Sequence, residues 1–227
     1  MPSSPDELTI DVVSDVVCPW CFIGKRRLEK AIAMKPEIAV TVRYRPFFLN
    51  AWIPREGISR EEYLTRKFGS VANYMANAPR VVAAAREEGL VYDVNAVKRQ
   101  PNTMDCHRLI RWAGEGGDAA RMKQRLMELY FTEGGDLTDR EVLVAAAQAC
   151  GLDADKVRAK LAAAEDEDAV SAEAQSFERA GVNSVPYFIL GGIFAMAGAQ
   201  EPAYLVEAME GAIAERAKRE AAEMTQA

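Results

Sequence analysis

The residues with the clearest chemical capacity are Cys18-Pro19-Trp20-Cys21. Two cysteines three positions apart at the start of a helix lie one turn from each other, which suits a dithiol that exchanges with disulfides. The first thiol is expected to face solvent and the unpaired N–H groups of the first turn. Those groups and the helix dipole favour the thiolate, which is the nucleophile. The second thiol, one turn further in, is placed to attack a mixed disulfide and release the product. Pro19 fits an early helical position because its missing N–H would have no intrahelical partner there. Cys18 is therefore expected as nucleophile and Cys21 as resolving thiol. Trp20 brings no charge to the thiolate but offers an apolar face to a client, and Lys25 and Arg26 either add positive potential or are simply solvated. Two other readings of the pair stay open here. One is half of a zinc site, although a structural site needs four ligands and Cys106, His107 and Cys150 supply no second CxxC spacing. The other is a pair without chemistry. No metal site and no bound cofactor are expected; the redox-active disulfide itself carries the electrons.

A dithiol needs an element on each side to hold it. Leu8 to Val13 is β-rich and partly alternating, which predicts a strand. A loop follows over Ser14 to Trp20. Leu28, Ala31 and Ile32 have the spacing of one helix face, so Phe22 to Met34 reads as a helix stopped by Pro36. Val40 to Arg45 alternates and reads as a second strand. From about residue 59 to 180 the pattern is nearly all helix. Ser59 with Glu62, and Thr138 with Glu141, are capping-box patterns. Asn77 with Pro79 reads as a cap and first turn, Gly89 as a stop, and Asn102 or Thr103 as the start of a helix ending at Gly114. Gly151 ends another helix and Asp153 caps the next. Glu165 to Asp168 is a charge run that reads as a solvated loop or a first helical turn. The end returns to strand at Tyr187 to Leu190, turns at Gly191-Gly192, runs back through Ile193 to Met196, and closes with a helix over Glu201 to Lys218. The expected division is a unit built from residues 1–58 and 181–227 around a helical insertion at 59–180.

Length and composition set limits. The chain has 227 residues, about half of them apolar, and a net charge of -6. The length suits one large domain or a domain carrying an insertion. An acidic balance argues against nucleic acid as a partner. No apolar run approaches the roughly 18 residues a membrane span needs. The opening segment lacks the basic and apolar regions of a secretory leader. A cytoplasmic, reducing setting is expected. There, four cysteines make a poor framework of staples and a CxxC is catalytic or metal-binding.

Asp15-Val16-Val17-Cys18-Pro19-Trp20-Cys21-Phe22-Ile23-Gly24 resembles the active site of DsbA-like thioredoxin-fold proteins, in particular the FrnE-like branch. Pro101-Asn102-Thr103-Met104-Asp105-Cys106-His107-Arg108-Leu109 is similar to that branch's Asn-Thr-x-x-Ala-His-Arg stretch. Gly181-Val182-Asn183-Ser184-Val185-Pro186-Tyr187-Phe188 is similar to its Gly-Val-x-x-Val-Pro loop. The resemblance runs in order over nearly the whole chain. It implies an α/β, thioredoxin-like fold with an inserted all-helical domain, and disulfide oxidoreductase activity of reductase or isomerase type on protein or small-molecule thiols and disulfides. Kin of the branch include 2-hydroxychromene-2-carboxylate isomerases and kappa-class glutathione transferases, which use glutathione and typically have Ser where Cys18 stands. A glutathione-dependent isomerase or transferase is thus the alternative. Retention of both cysteines favours redox chemistry. Cys106 departs from the branch, where Ala is usual.

The resemblance also places Val185 and Pro186 against the dithiol, with the bond between them cis. Pro is tolerated at a first strand position, and only X–Pro makes cis cheap. Backbone groups of Val185 would then pair with an extended client. His107, the single histidine, lines a substrate groove by resemblance or is a helix residue hydrogen-bonded in place. Asn102 is a helix cap or a substrate contact. Arg108 pairs with a substrate or glutathione carboxylate, or forms a structural ion pair. Asp11 and Asp15 precede the dithiol, and one of them is a candidate proton relay to Cys21, against a turn or cap role for Asp15. Cys106 and Cys150 read as small buried hydrophobes.

Overall fold

The structure is a computed structural model and describes residues 7–226. Residues 1–6, most of the opening segment read above, lie outside them. The chain begins with β1 (Glu7–Ser14), α1 (Pro19–Met34) and β2 (Ala39–Pro46). Then come β3 (Ile58–Ser59), α2 (Arg60–Phe68), α3 (Val71–Glu87) and β4 (Arg99–Gln100). Next are α4 (Met104–Glu115), α5 (Ala119–Phe131), α6 (Arg140–Ala149), α7 (Ala154–Ala162) and α8 (Glu167–Arg179). The chain closes with β5 (Tyr187–Leu190), β6 (Phe194–Ala197) and α9 (Pro202–Gln226).

The sheet has the order β2-β1-β5-β6, with β1 and β2 parallel and the other pairs antiparallel. Parallel neighbours need a crossover, and α1 is that crossover. Central β1 is covered on both faces, and so it reads as an apolar run. Leu8, Ile10 and Val12 pack with Leu28 and Ala31 of α1, Phe188 and Leu190 of β5, and Leu205 and Met209 of α9. Val13, on the opposite face, packs with Phe47 and Val182.

A second, larger cluster joins the dithiol to the helical segment. It includes Val16, Cys21 and Phe22 beside Leu109, Leu126, Phe131 and Leu143. The Phe22 and Phe131 rings stack with centroids 5.5 Å apart. Most of the drive that seats the helices on the sheet is apolar burial at this junction, each full side chain adding about 1.5–3 kcal/mol.

Ser59 caps α2, its hydroxyl accepting from the Glu62 N–H at 3.1 Å, and Asp153 caps α7. Other expected boundaries are corrected. α1 begins at Pro19, not Phe22. Asn77 and Pro79 lie inside α3, which starts after Ser70, whose hydroxyl accepts from the Asn73 N–H. Pro79 is tolerated there because the turn is exposed, so the Met75 carbonyl that loses its partner is left on the solvent side. Asp139, not Thr138, caps α6 through the Glu141 N–H, while Thr138 bonds back to Asp136. The acidic run enters α8, whose first turn holds Glu167 and Asp168, and its first two residues also make contacts. Asp166, at φ +64°, accepts from the Trp112 indole at 2.7 Å, and the Glu165 carbonyl accepts from Arg108 at 2.6 Å.

Candidate dithiol site

Cys18 is the N-cap of α1, in extended backbone, with Pro19 at the first helical position. Its carbonyl accepts from the N–H groups of Cys21 and Phe22 at 3.0 and 3.2 Å. Both cysteines are free thiols. Their acidities split. A hydrogen bond from the Cys21 thiol, together with backbone N–H groups of Cys21 and Trp20, holds the Cys18 thiol below its ordinary value against burial and the charge of Asp15. Burial, and then Cys18 itself, pushes the Cys21 thiol well up. The fold thus contains one thiol poised to ionise and one held protonated.

The expectation that Cys18 faces solvent is corrected: it is 4 % exposed. The cause is the loop before β5. The Val185 carbonyl oxygen lies 3.6 Å from the Cys18 sulfur, and the Val185–Pro186 peptide is cis. Pro186 in turn sits on α1, where a Cβ added to Gly24 would stand 2.9 Å from its Cγ. Trp20 is half-buried against the same cluster. The Arg80 guanidinium stands 5.7 Å from the centre of its ring, so the tryptophan between the thiols comes with a cation supplied by α3.

Asp15 and His107 meet beneath the dithiol. Asp15 is fully buried, and one carboxylate oxygen accepts from the Leu49 N–H at 2.8 Å. The other has no hydrogen bond and lies 3.5 Å from His107 Nε2, which donates to the Phe47 carbonyl at 3.2 Å. This pair anchors the chain leaving β2. Asp11 is not placed as a relay. It faces Arg43 in strand register, and Arg43 and Arg45 both bind its carboxylate.

Arg108 is fully buried and turned inward. Its guanidinium donates to the Asp105 carboxylate and to the carbonyls of Glu165 and Lys160, each at 2.6 Å. That leaves the structural role in place of a substrate contact. Asn102 donates to the Ile53 carbonyl and accepts from the Met104 N–H, so it acts as a cap and a loop tie. Cys106 and Cys150 are buried, and burial raises both thiols. Lys25 is buried in an ion pair with Glu29. Among the described residues, no group of three His, Cys, Asp or Glu side chains could hold a metal.

Several site residues carry no local sequence signal. Lys67 donates to the Asn50 side chain at 2.6 Å. Its acidity reflects burial, which lowers the pKa, opposed by the charges of Cys18 and Asp15. Burial pushes Tyr63 up to about 12. Lys123, 1 % exposed, points its ammonium at the Tyr44 ring and lies within electrostatic reach of Cys21. Each comes from an element distant in sequence, and only a covarying partner would have exposed it.

Residues 9–210 match the family model of the DSBA-like thioredoxin domain. The chain is 32% identical to a probable DsbA oxidoreductase from Streptomyces coelicolor, covering 92% of this chain and 91% of that one with a TM-score of 0.84. A 2-hydroxychromene-2-carboxylate isomerase shares the fold at 18% identity and a TM-score of 0.64, covering 95% of this chain and 98% of that one. The cytosolic disulfide reductase DsbM of Pseudomonas aeruginosa, solved with GSH, does so at 20% identity and 0.55, with 93% and 98% covered.

Proposed function

The chain belongs to the DSBA-like thioredoxin domain family, and on that premise we propose that it is a thiol–disulfide oxidoreductase working through Cys18 and Cys21. The observation that carries the reading is the placement of two free thiols one helix turn apart, Cys18 at the N-cap of α1 and Cys21 inside its first turn, with their surroundings pushing the two acidities in opposite directions. In the reductive direction the Cys18 thiolate attacks one sulfur of a client disulfide. A Cys18–client bond forms and the other client sulfur leaves as a thiolate. Cys21 then passes its proton to the released client thiolate and attacks the Cys18 sulfur. The Cys18–Cys21 disulfide forms and the second client thiolate departs, so the client gains the two electrons the dithiol loses. The reverse sequence oxidises a client. Val185 offers its backbone beside Cys18, a place for an extended client segment to pair. The reading includes a cytoplasmic setting, where a reducing pool keeps the dithiol supplied.

A second reading, glutathione-dependent isomerase or transferase chemistry, is favoured by Lys67 and Asn50. Their ammonium and amide, in the field of Cys18, suit a peptide carboxylate such as that of glutathione.

Single turnover separates the two. The reduced protein, free of glutathione, is mixed with a disulfide-bonded peptide. The redox reading expects one peptide disulfide reduced per protein, abolition in Cys18→Ser, and a persistent mixed disulfide in Cys21→Ser. Turnover that requires glutathione and survives loss of Cys21 would establish the second reading instead.

A further inference from the structure

A cavity of about 430 Å³ lies between β2, α4, the start of α5 and α8. Cys18, Cys21 and Pro186 take no part in its walls, which include Tyr44, Ile110, Arg111, Lys123, Val170 and Glu173.

Lys123 sets its character. The side chain is 1 % exposed. Among the described residues its ammonium has no hydrogen bond and no carboxylate in ion-pair contact; its neighbour is the Tyr44 ring, 5.4 Å to the centroid, and Cys21, Asp15 and Cys18 act on it only through space, against a burial that disfavours its charge. A buried ammonium without a counter-ion is costly, and an anion in the cavity would offset that cost. The other cations of the wall differ. Arg43 and Arg45 are taken up by Asp11, and Arg45 also by Glu173, at 2.6–2.9 Å. Arg111 holds Asp166 and Glu173 only loosely, at 3.7 and 3.5 Å, and is partly open to solvent. The cavity therefore has one free buried charge, one adaptable guanidinium and apolar walls at Ile110 and Val170. Its volume falls in the range of small-molecule sites.

We infer that this cavity binds a small organic monocarboxylate, its charge against the Lys123 ammonium and the Arg111 guanidinium, and its apolar body against Ile110 and Val170. A single negative charge matches the single unpaired ammonium. A dianion such as phosphate would meet Glu173 without a second free cation and would leave the apolar walls uncovered. The dithiol lies outside the cavity, although Lys123 is within electrostatic reach of Cys21, so the test reads ligand binding and not exchange.

Benzoate is the probe, titrated calorimetrically into the full-length protein at up to about 10 mM. Saturable one-site binding is expected. Lys123→Met should weaken it by about tenfold or more, the value of one buried charge-assisted contact. That variant removes an unpaired buried charge, so it should fold, which a urea melt verifies. Ala120→Trp, at the exposed rim of the same cavity, should block entry with Lys123 intact, and serves if Lys123→Met does not fold. Absence of saturable benzoate binding, equal affinity in Lys123→Met and the parent, undiminished binding in Ala120→Trp, or tighter binding of inorganic phosphate than of benzoate would each overturn the inference.

Discussion

Gly24→Ala tests the packing that holds the loop over the dithiol. In most helices this change stabilises, since Ala exceeds Gly in helix propensity by about 1 kcal/mol. Here the new methyl would stand 2.9 Å from Pro186 Cγ, 3.4 Å from the Phe188 ring and 3.5 Å from the Ala199 backbone. An ordinary carbon–carbon contact is about 3.5 Å or more, so the proline ring must retreat by roughly 0.5 Å. The other two contacts leave the methyl no sideways escape. Overpacking of this kind costs about 1–3 kcal/mol. The propensity gain of about 1 kcal/mol offsets part of it, leaving a net loss of about 0–2 kcal/mol, or up to about 8 °C in Tm for a chain of this size. Gly114→Ala is the control. It too lies within a helix, but its added methyl meets Ala119 at an ordinary 3.5 Å, so it should gain up to about 1 kcal/mol. Urea denaturation of the reduced proteins measures both. Because Pro186 carries Val185, the Gly24 variant should also expose the Cys18 sulfur and speed its alkylation. A Gly24→Ala protein as stable as Gly114→Ala, with unchanged alkylation, would refute the packing argument.

Further outcomes follow from the titrating groups and from the remaining cysteines. In the reduced protein Cys18 should alkylate before Cys21 at mildly acidic pH, its rate rising at lower pH than that of a free cysteine near 8.5; peptide mapping of the first label decides it. A Cys106→Ala, Cys150→Ala double variant should keep most of its exchange activity, since burial raises both thiols; loss of turnover in the folded variant would make one of them a relay. Burial alone would raise Glu88, but hydrogen bonds from Lys30 and Arg27 more than reverse this, so its pKa is lowered. Its contribution is therefore present above the unfolded value of about 4.3 and is lost as pH falls through the folded one. Glu88→Gln should lose about 2–4 kcal/mol at pH 7, with the gap to the parent closing below about pH 4 in denaturation series.

The parts of the site that sequence made legible are those written locally. Cys18 and Cys21 share one helix turn, and Ser59 and Asp153 cap through groups two or three residues on, so short-range stereochemistry sufficed. In the β–α–β opening, β1 was readable as a β-rich apolar run and β2 from its alternation, and the closing hairpin from the Gly191-Gly192 turn between two apolar runs. What stayed hidden depends on partners far along the chain. Cys18 was expected at the surface because nothing near it announces that Val185 will cover it. Trp20 looked uncharged because Arg80 arrives from α3. Arg108 is of a residue type usual at the surface, yet three acceptors from α4, α7 and the segment before α8 make full burial tolerable. Pro79 misled for a different reason: a proline usually starts or breaks a helix, but here it lies in an exposed turn of α3, where the freed Met75 carbonyl has water as a partner and the rest of the helix carries the cost.

The contact between Cys18 and Val185 also has a temporal side. The two residues are 167 positions apart in the chain. At a synthesis rate of about 5–20 residues per second, roughly ten to thirty seconds separate their emergence from the ribosome. Throughout that interval Cys18 has been made and the Val185 carbonyl that covers it in the fold has not, so the cover over this thiol is completed only with the C-terminal strands.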